Sequence, residues 1–492
     1  MRGHAFLPLF LISASLGCQA DYSYEQGGSY GYNDSSGQQD PVPPEADEPM
    51  DTGGESCDEV EPVSLFISPD DSNSMVSPVL AREAVLDDWS NLSWVPIRSW
   101  EFLNYYHFAL ESPTDDDLSI HVSAIPDPAG EEGDWLMQIG LAARSQSRNS
   151  RDPVSITFSL DTSGSMGGQP IEMLRASCLA IASQLREGDI VSMVTWASSQ
   201  NTILSNHHVT GPDDPTLVQA IEHIDANGST DLHGGLVAAY QLAEAAYSPD
   251  RINRVVLISD GGANVGITDE DLIARAAAHE DKEGIYMAGI GVGTASSYNE
   301  YLMDSVTDLG RGAALFIGDE EEAWAMLGTG FLEVMEVAAR NVQVRMDLPP
   351  GVRMTAFSGE EYSTEQEDIE PQHLAPNDTM IFQEHLSACA PDILDDAEIT
   401  VVVEWQDTTT FEPRSAELTL PWSALSEGRV DQLWKGEAIY QYALALKAKQ
   451  GGNGGQDWVQ AHTRWSDAQQ YAEGLNPGDA DLMEIRAVMG QL

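Results

Sequence analysis

The sequence predicts an α/β fold, a doubly wound and mostly parallel sheet, flanked by β-rich regions and followed by a C-terminal helical segment. Three observations predict it. Between residues 152 and 340, short β-rich runs alternate with helical stretches, the pattern of βαβ units. The central runs are nearly continuous in apolar residues, as expected of strands covered on both faces. Outside those limits the text changes character, to strands on either side and helices at the end.

In chain order, Arg2 and the apolar run Ala5–Leu16 read as a secretory signal over residues 1–18. The run falls short of the ~20 residues that span a bilayer. It ends in Leu16-Gly17-Cys18, similar to a bacterial lipobox in which Cys18 is lipidated, although Ser15 stands where that pattern has Leu. Cleavage after Ala20 by ordinary signal peptidase is the competing reading. With Gln19 after the cysteine, the lipoprotein reading places the chain at the outer membrane; otherwise it is periplasmic or secreted. Residues 19–61 are rich in Gly, Ser, Gln, Pro and acids, cannot bury a core, and read as an acidic tether. A flexible chain of that length spans roughly 35–40 Å.

Residues 62–150 read as an α+β region. Pro62–Ile67, Leu118–Ile125 and Trp135–Ala142 are strands, and Arg98–Phe108 is a helix. Ser77-Pro78 reads as an N-cap followed by Pro at the first helical position, opening a helix to Trp89. Asp115-Asp116-Asp117 lacks the glycine and distal Glu of a calcium loop and reads as a solvated turn. The α/β unit, 152–340, has strands Val154–Leu160, Ile190–Trp196, Val255–Ser259, Ile285–Ile290 and Ala313–Ile317. Its helices are Pro170–Arg186, Leu232–Ala246, Asp269–Glu283 and Glu320–Ala339. Residues 341–421 return to strands, on a pattern that suits packing with 62–150 as one sandwich around the inserted unit. Residues 428–492 are helical, with Leu433, Ala438, Ile439, Tyr442 and Leu446 at core spacing.

Composition restricts the partners. Eighty Asp and Glu against 23 Lys and Arg give a net charge of −57. Such a surface repels phosphates and anionic head groups, so nucleic acid is excluded as a partner, and the membrane too except through a lipid anchor. Adaptation to a saline habitat and a role in binding account for the acidity equally well. Of the four cysteines, Cys178 reads as a buried small hydrophobe. Cys57 and Cys389 could pair in an oxidising compartment. No thiolate cluster suited to zinc occurs.

The chemistry lies in Asp161-Thr162-Ser163-Gly164-Ser165, just after the first strand of the α/β unit. Ligands of open α/β sheets bind beyond the carboxyl ends of the strands. Alternate residues of an extended loop point the same way, so Asp161, Ser163 and Ser165 can present a carboxylate and two hydroxyls to one point. That is a hard-oxygen set, suited to Mg²⁺, Ca²⁺ or Mn²⁺ and not to zinc. Alone the pattern is weak. Thr230, just before a helix, and Asp260, at another strand's carboxyl end, complete it.

Strand-DxSxS, then Thr, then strand-Asp-Gly resembles the von Willebrand factor A domain and its metal-ion-dependent adhesion site. The resemblance implies a metal held by Asp161, Ser163, Ser165, Thr230 and Asp260, with one coordination position left for a carboxylate from a protein ligand. Asp231 and His233 stand close enough in sequence for an outer role, though Asp231 also reads as an acid favoured at a helix N-terminus. Pro62–Ile67, the acidic turn after it, Arg98–Phe108, Asn264-Val265-Gly266 and Tyr440–Leu446 look like the bacterial YfbK-type family, over roughly residues 62–492. The sequence departs from that family at the lipobox and at Gly262-Ala263.

No GxSxG, Walker loop or HExxH occurs. Gly289–Gly293 lacks the full dinucleotide spacing and reads as a tight strand exit. His207-His208 reads as exposed loop. The expectation is a non-enzymatic envelope lipoprotein that binds a protein partner through metal. A structural scaffold in which metal only stabilises the loop, and a metal-dependent hydrolase, are the alternatives. The oligomeric state is not encoded in these features.

Overall fold

A computed structural model describes residues 61–69, 73–86, 92–262, 284–294, 298–310, 312–408, 410–451 and 456–492. The expected signal segment with Cys18, nearly all of the tether, Cys57, Asn264–Gly266 and the helix expected over Asp269–Glu283 lie outside the described residues.

The chain enters on β1 (Val63–Ser68), α1 (Val76–Leu86) and α2 (Ser99–Tyr105), then forms the hairpin of β2 (Leu118–Pro126) and β3 (Asp134–Ala143). Helix α1 opens one residue before Ser77, so Ser77 is not its N-cap. It lies inside the first turn, where its N–H donates to Glu101 Oε2 at 2.5 Å. The central unit runs β4 (Val154–Asp161), α3 (Gln169–Gln184), β5 (Ile190–Trp196), β6 (Gln200–His208), α4 (Pro215–Glu222), α5 (Leu232–Ala246), β7 (Ile252–Ser259), β8 (Ile285–Val292), α6 (Glu300–Leu309), β9 (Ala314–Ile317), α7 (Glu320–Ala323) and α8 (Phe331–Met335). Then follow β10 (Ala339–Leu348), β11 (Val352–Phe357), β12 (Glu361–Ser363), β13 (Gln372–Leu374), β14 (Thr379–Ala388), β15 (Glu398–Gln406) and β16 (Pro413–Pro421). Helices α9 (Val430–Gln450), α10 (Gln456–Leu475) and α11 (Ala480–Met489) close the chain.

The central sheet has the order β6-β5-β4-β7-β8-β9 and is parallel except for β6. Alternation along β4 explains its place in the middle. Ile156, Phe158 and Leu160 pack on one face with Leu174, Cys178 and Ile181 of α3. On the other face, Val194, Trp196, Val255 and Leu257 of the neighbouring strands meet Leu236, Ala239 and Tyr240 of α5. From β4 the chain winds outward to β5 on one side and later returns to β7 on the other. The crevice between the carboxyl ends of β4 and β7 is therefore the topological switch point, where α/β sheets bind ligands.

Strand β6, whose residues are mostly polar, is not among the strands the sequence predicts, and of its residues the sequence places only His207-His208, in exposed loop. It is an antiparallel edge strand, paired with β5 alone and exposed along most of its length. His207 and His208 end it, and His207 Nε2 lies 2.9 Å from Asp214 Oδ1. The single helix expected over Glu320–Ala339 is broken. It becomes α7, a π-helical turn over Trp324–Thr329, and α8, with Gly328 and Gly330 at the break, and Ala339 already belongs to β10.

Flanking this unit are two antiparallel sheets that pack on each other. One carries β12-β1-β10-β15-β16 with β13 beside β10, the other β11-β14-β3-β2. Each sheet mixes strands from before and after the α/β unit: β1 pairs with β10 and β3 with β14. The chain leaves one sheet after Ala143 and enters the other at Ala339. Asp115 and Asp116 are exposed in a bend as expected, but Asp117 is buried between the sheets, accepting from Trp405 Nε1 at 3.1 Å and Arg144 at 3.1 Å. Helix α9 lies on the outer face of the second sheet. Gly436 permits this, since a Cβ there would meet Gln138 Nε2 at 2.3 Å.

Candidate metal centre

Strand β4 delivers Asp161 fully buried at the switch point. Its carboxylate is held from two sides: Ser163 N–H donates to Oδ1 at 2.8 Å, and Ser259 Oγ–H to Oδ2 at 2.7 Å. Ser259 is the last residue of β7, so the adjacent strand fixes the rotamer of the first strand's acid. The next residue, Asp260, is 5% exposed. Its Oδ1 accepts the Gly262 N–H at 3.1 Å.

The two serines converge. Ser163 Oγ and Ser165 Oγ are 3.0 Å apart, with Ser163 buried and Ser165 exposed at the mouth. Thr230 joins them through backbone bonds. Gly164 N–H donates to Gly228 O at 2.9 Å and Asn227 N–H to Thr162 O at 2.6 Å, stitching the DxSxS loop to the segment that carries Thr230. A Cβ placed on Gly262 would lie 3.2 Å from Asp260 Oδ1 and 3.8 Å from Thr230 Oγ1, so those two oxygens border one point. All five predicted residues thus meet at the switch point.

Burial pushes the Asp161 carboxyl up to about 7. The Ser163 and Ser259 donors pull against that rise, and the neighbouring Asp260 carboxylate adds to it. Two carboxylates in a dry crevice repel each other, and a divalent cation between them removes both that repulsion and the cost of burial. The donors fit such an ion: two carboxylates and three hydroxyls, all hard oxygens. Among the described residues, no group of three or more His, Cys, Asp or Glu is placed to hold a metal.

Asp231 acts elsewhere. It caps α5, its Oδ1 accepting Gly234 N–H at 3.0 Å, while Oδ2 takes Gln200 Nε2 at 2.8 Å. His233 is half-buried on the first turn of α5 and, among the described residues, makes no hydrogen bond to the five. Sequence reasoning missed Ser259 and Trp196. Trp196 is fully buried, donates Nε1–H to Ser159 Oγ at 3.0 Å, and accepts the Thr162 N–H at 2.8 Å on its carbonyl. A serine one residue before the strand-end Asp was the available signal for the first. Nothing in the local sequence marked the second.

Residues 155–321 match the family model of the von Willebrand factor type A domain. The chain carries a von Willebrand factor type A domain. Over 216 residues it is 29% identical to the uncharacterized protein YfbK of Escherichia coli strain K12, covering 44% of this chain and 37% of that protein. Over 214 residues it is 26% identical to the uncharacterized protein sll0103 of Synechocystis sp., covering 44% and 49%. The match thus spans less than half the length of either relative. A solved structure of proximal thread matrix protein 1 from the mussel byssus, described as having a zinc occupied MIDAS motif, is 17% identical with a TM-score of 0.30. It covers 36% of this chain and 46% of that one. The type A domain accounts for the α/β unit, and the sandwich strands and terminal helices lie on either side of it.

Proposed function

We propose that this protein binds a protein partner through a divalent cation held by Asp161, Ser163, Ser165, Thr230 and Asp260, the partner contributing a carboxylate to the open side of the ion. The observation that carries the reading is the convergence of these five side chains at the switch point, with Ser165 exposed at its mouth. Two carboxylates only balance the ion's two charges, which leaves it receptive to a further anion. Two carboxylates and three hydroxyls are a hard-oxygen set that suits Mg²⁺, Mn²⁺ or Ca²⁺.

The role is recognition rather than catalysis. The donors at the mouth are hydroxyls, and among the described residues no His, Lys or further carboxylate hydrogen-bonds to those of Ser163 and Ser165 as a general base would. In this reading the chain works in the bacterial envelope, tethered by lipid on Cys18, and its acidity keeps it clear of nucleic acid and anionic lipid. Capture of envelope proteins on immobilised protein, with Mg²⁺, Mn²⁺, Ca²⁺, Zn²⁺ or EDTA, tests it. Zinc is included because the mussel thread protein holds it in its MIDAS motif. Capture should require metal and vanish in a folded Asp161→Ala variant. Capture that survives in Asp161→Ala, or in EDTA, would sink the reading. Palmitate labelling lost in Cys18→Ser tests the anchor separately.

A further inference from the structure

A second cavity lies far along the chain from the metal residues, under the C-terminal helices. It is a trough of about 1070 Å³, at the upper end of the ~300–1,000 Å³ typical of small-molecule sites. Its sides come from three sources. Val430, Trp434, Glu437 and Gln441 form one face of α9, at helical spacing. Arg464, Asp467, Tyr471 and Leu475 form one face of α10. The tip of the β2–β3 hairpin supplies Asp127 and Asp134, and β14 supplies His385.

The two helices run antiparallel, so the trough is graded along its length. At one end Trp434 is buried beneath Tyr471, ring centroids 4.4 Å apart and planes at 18°, with Leu136, Val430 and Leu475 around them. Tyr471 is 51% exposed and lines the opening. At the other end His385 Nε2 meets Glu437 Oε2 at 3.0 Å, and Gln441 and Gln383 donate to the same carboxylate. Those donors satisfy Glu437, and the His385–Glu437 pair carries no net positive charge. Among the described residues that line it, the remaining charges are the carboxylates of Asp127, Asp134 and Asp467 against the guanidinium of Arg464. A flat aromatic shelf beside an excess of carboxylates selects a cation with an apolar body.

We propose that this trough binds a small amphiphilic cation, an ammonium or guanidinium group on a flat apolar body, with the body against Tyr471 and Trp434 and the charge toward Asp467 and Asp127. Nothing in this depends on the metal centre. Isothermal titration of the full chain in EDTA with tryptamine, and with indole-3-propionate, which has the same ring and the opposite charge, tests it. Tryptamine should bind at least about tenfold more tightly than the acid. Its affinity should fall severalfold in Asp467→Asn, at an exposed position where the unliganded melting temperature should not move, and in Tyr471→Ala, which also lowers that temperature by removing the stack on Trp434. Equal or tighter binding of indole-3-propionate would make Arg464 and His385 the anchors and overturn the proposal. So would the failure of tryptamine to bind the intact chain, or unchanged affinity in both variants.

Discussion

Single side chains carry most of the chemical contrast in this protein. Ser259 is an example at the metal centre. It donates to Asp161 Oδ2 and accepts from Gly261 N–H at 3.0 Å. Ser259→Ala should therefore weaken metal affinity severalfold and cost about 1–3 kcal/mol of stability, the penalty for an unsatisfied buried acceptor. Calorimetric metal titration and chemical denaturation of the variant measure the two effects. An unchanged affinity would mean that Ser259 does not position Asp161. Glu384 offers the opposite case. It lies on β14 on the same side as Phe382 and Leu386, which belong to the sandwich core. It is fully buried, and neither carboxylate oxygen has a hydrogen-bond partner among the described residues. Burial raises its carboxyl well above the ordinary 4.5. The folded state then holds a proton that the unfolded state releases, so stability falls as pH rises above 4.5 toward the folded value. Glu384→Met should stabilise the chain by about 1–3 kcal/mol. Denaturation curves should show a larger gain near neutrality than below about pH 5; a loss at both would contradict the account.

At the scale of elements, the site is precise because α5 is held close to the sheet. A Cβ on Gly235 would stand 2.4 Å from the Trp196 ring, so the helix approaches closer than any other residue allows. Gly235→Ala should push the start of α5, and Thr230 before it, away from the DxSxS loop. The expected result is a loss of about 1–3 kcal/mol and weaker metal binding, read by thermal unfolding with and without Mg²⁺. A variant with native stability and affinity would contradict this packing account. Legibility in the sequence also divides along elements. The five site residues were readable because each sits where a strand ends or a helix begins, and those ends have strong local signatures. Strand β4 was readable from its apolar run. Strand β6 was not, because an edge strand exposed on its faces carries no period of two. The broken helix after Glu320 was misread because Gly328 and Gly330 are tolerated in helical patterns until tertiary packing decides. Asp117 was misread because burial by Trp405, almost three hundred residues away, leaves no local trace.

The whole described chain is knit together across large separations in sequence. Helices α1 and α2 and the C-terminal helices share an apolar cluster with Ala314 and Phe316 of the type A domain. Ser74 bridges to Ala314 beside the edge strand β9. Arg82 pairs with Glu322 and Glu484, and Arg98 with Glu101 and Glu300, joining the domain to the helices around it. Asn299, next to Glu300, donates its N–H to Asp260 O at 3.1 Å, so these ion pairs stand one residue from the metal loop. Metal should therefore stabilise the chain as a unit. At about a hundred times its dissociation constant it should add about 2.7 kcal/mol, and scanning calorimetry should register one transition moving upward. Two transitions, of which only one responds to metal, would mean that the domain is coupled loosely to the sandwich.

The account rests on one cation held by five side chains at the switch point. Isothermal titration of Mg²⁺ and Mn²⁺ into the metal-free chain, beside Asp161→Ala and Ser165→Ala variants verified as folded by circular dichroism, tests it most directly. It predicts saturation at one ion per chain, with affinity abolished by Asp161→Ala and reduced by Ser165→Ala. Equal affinity in the three proteins, or no saturable binding to the unaltered chain, would contradict it.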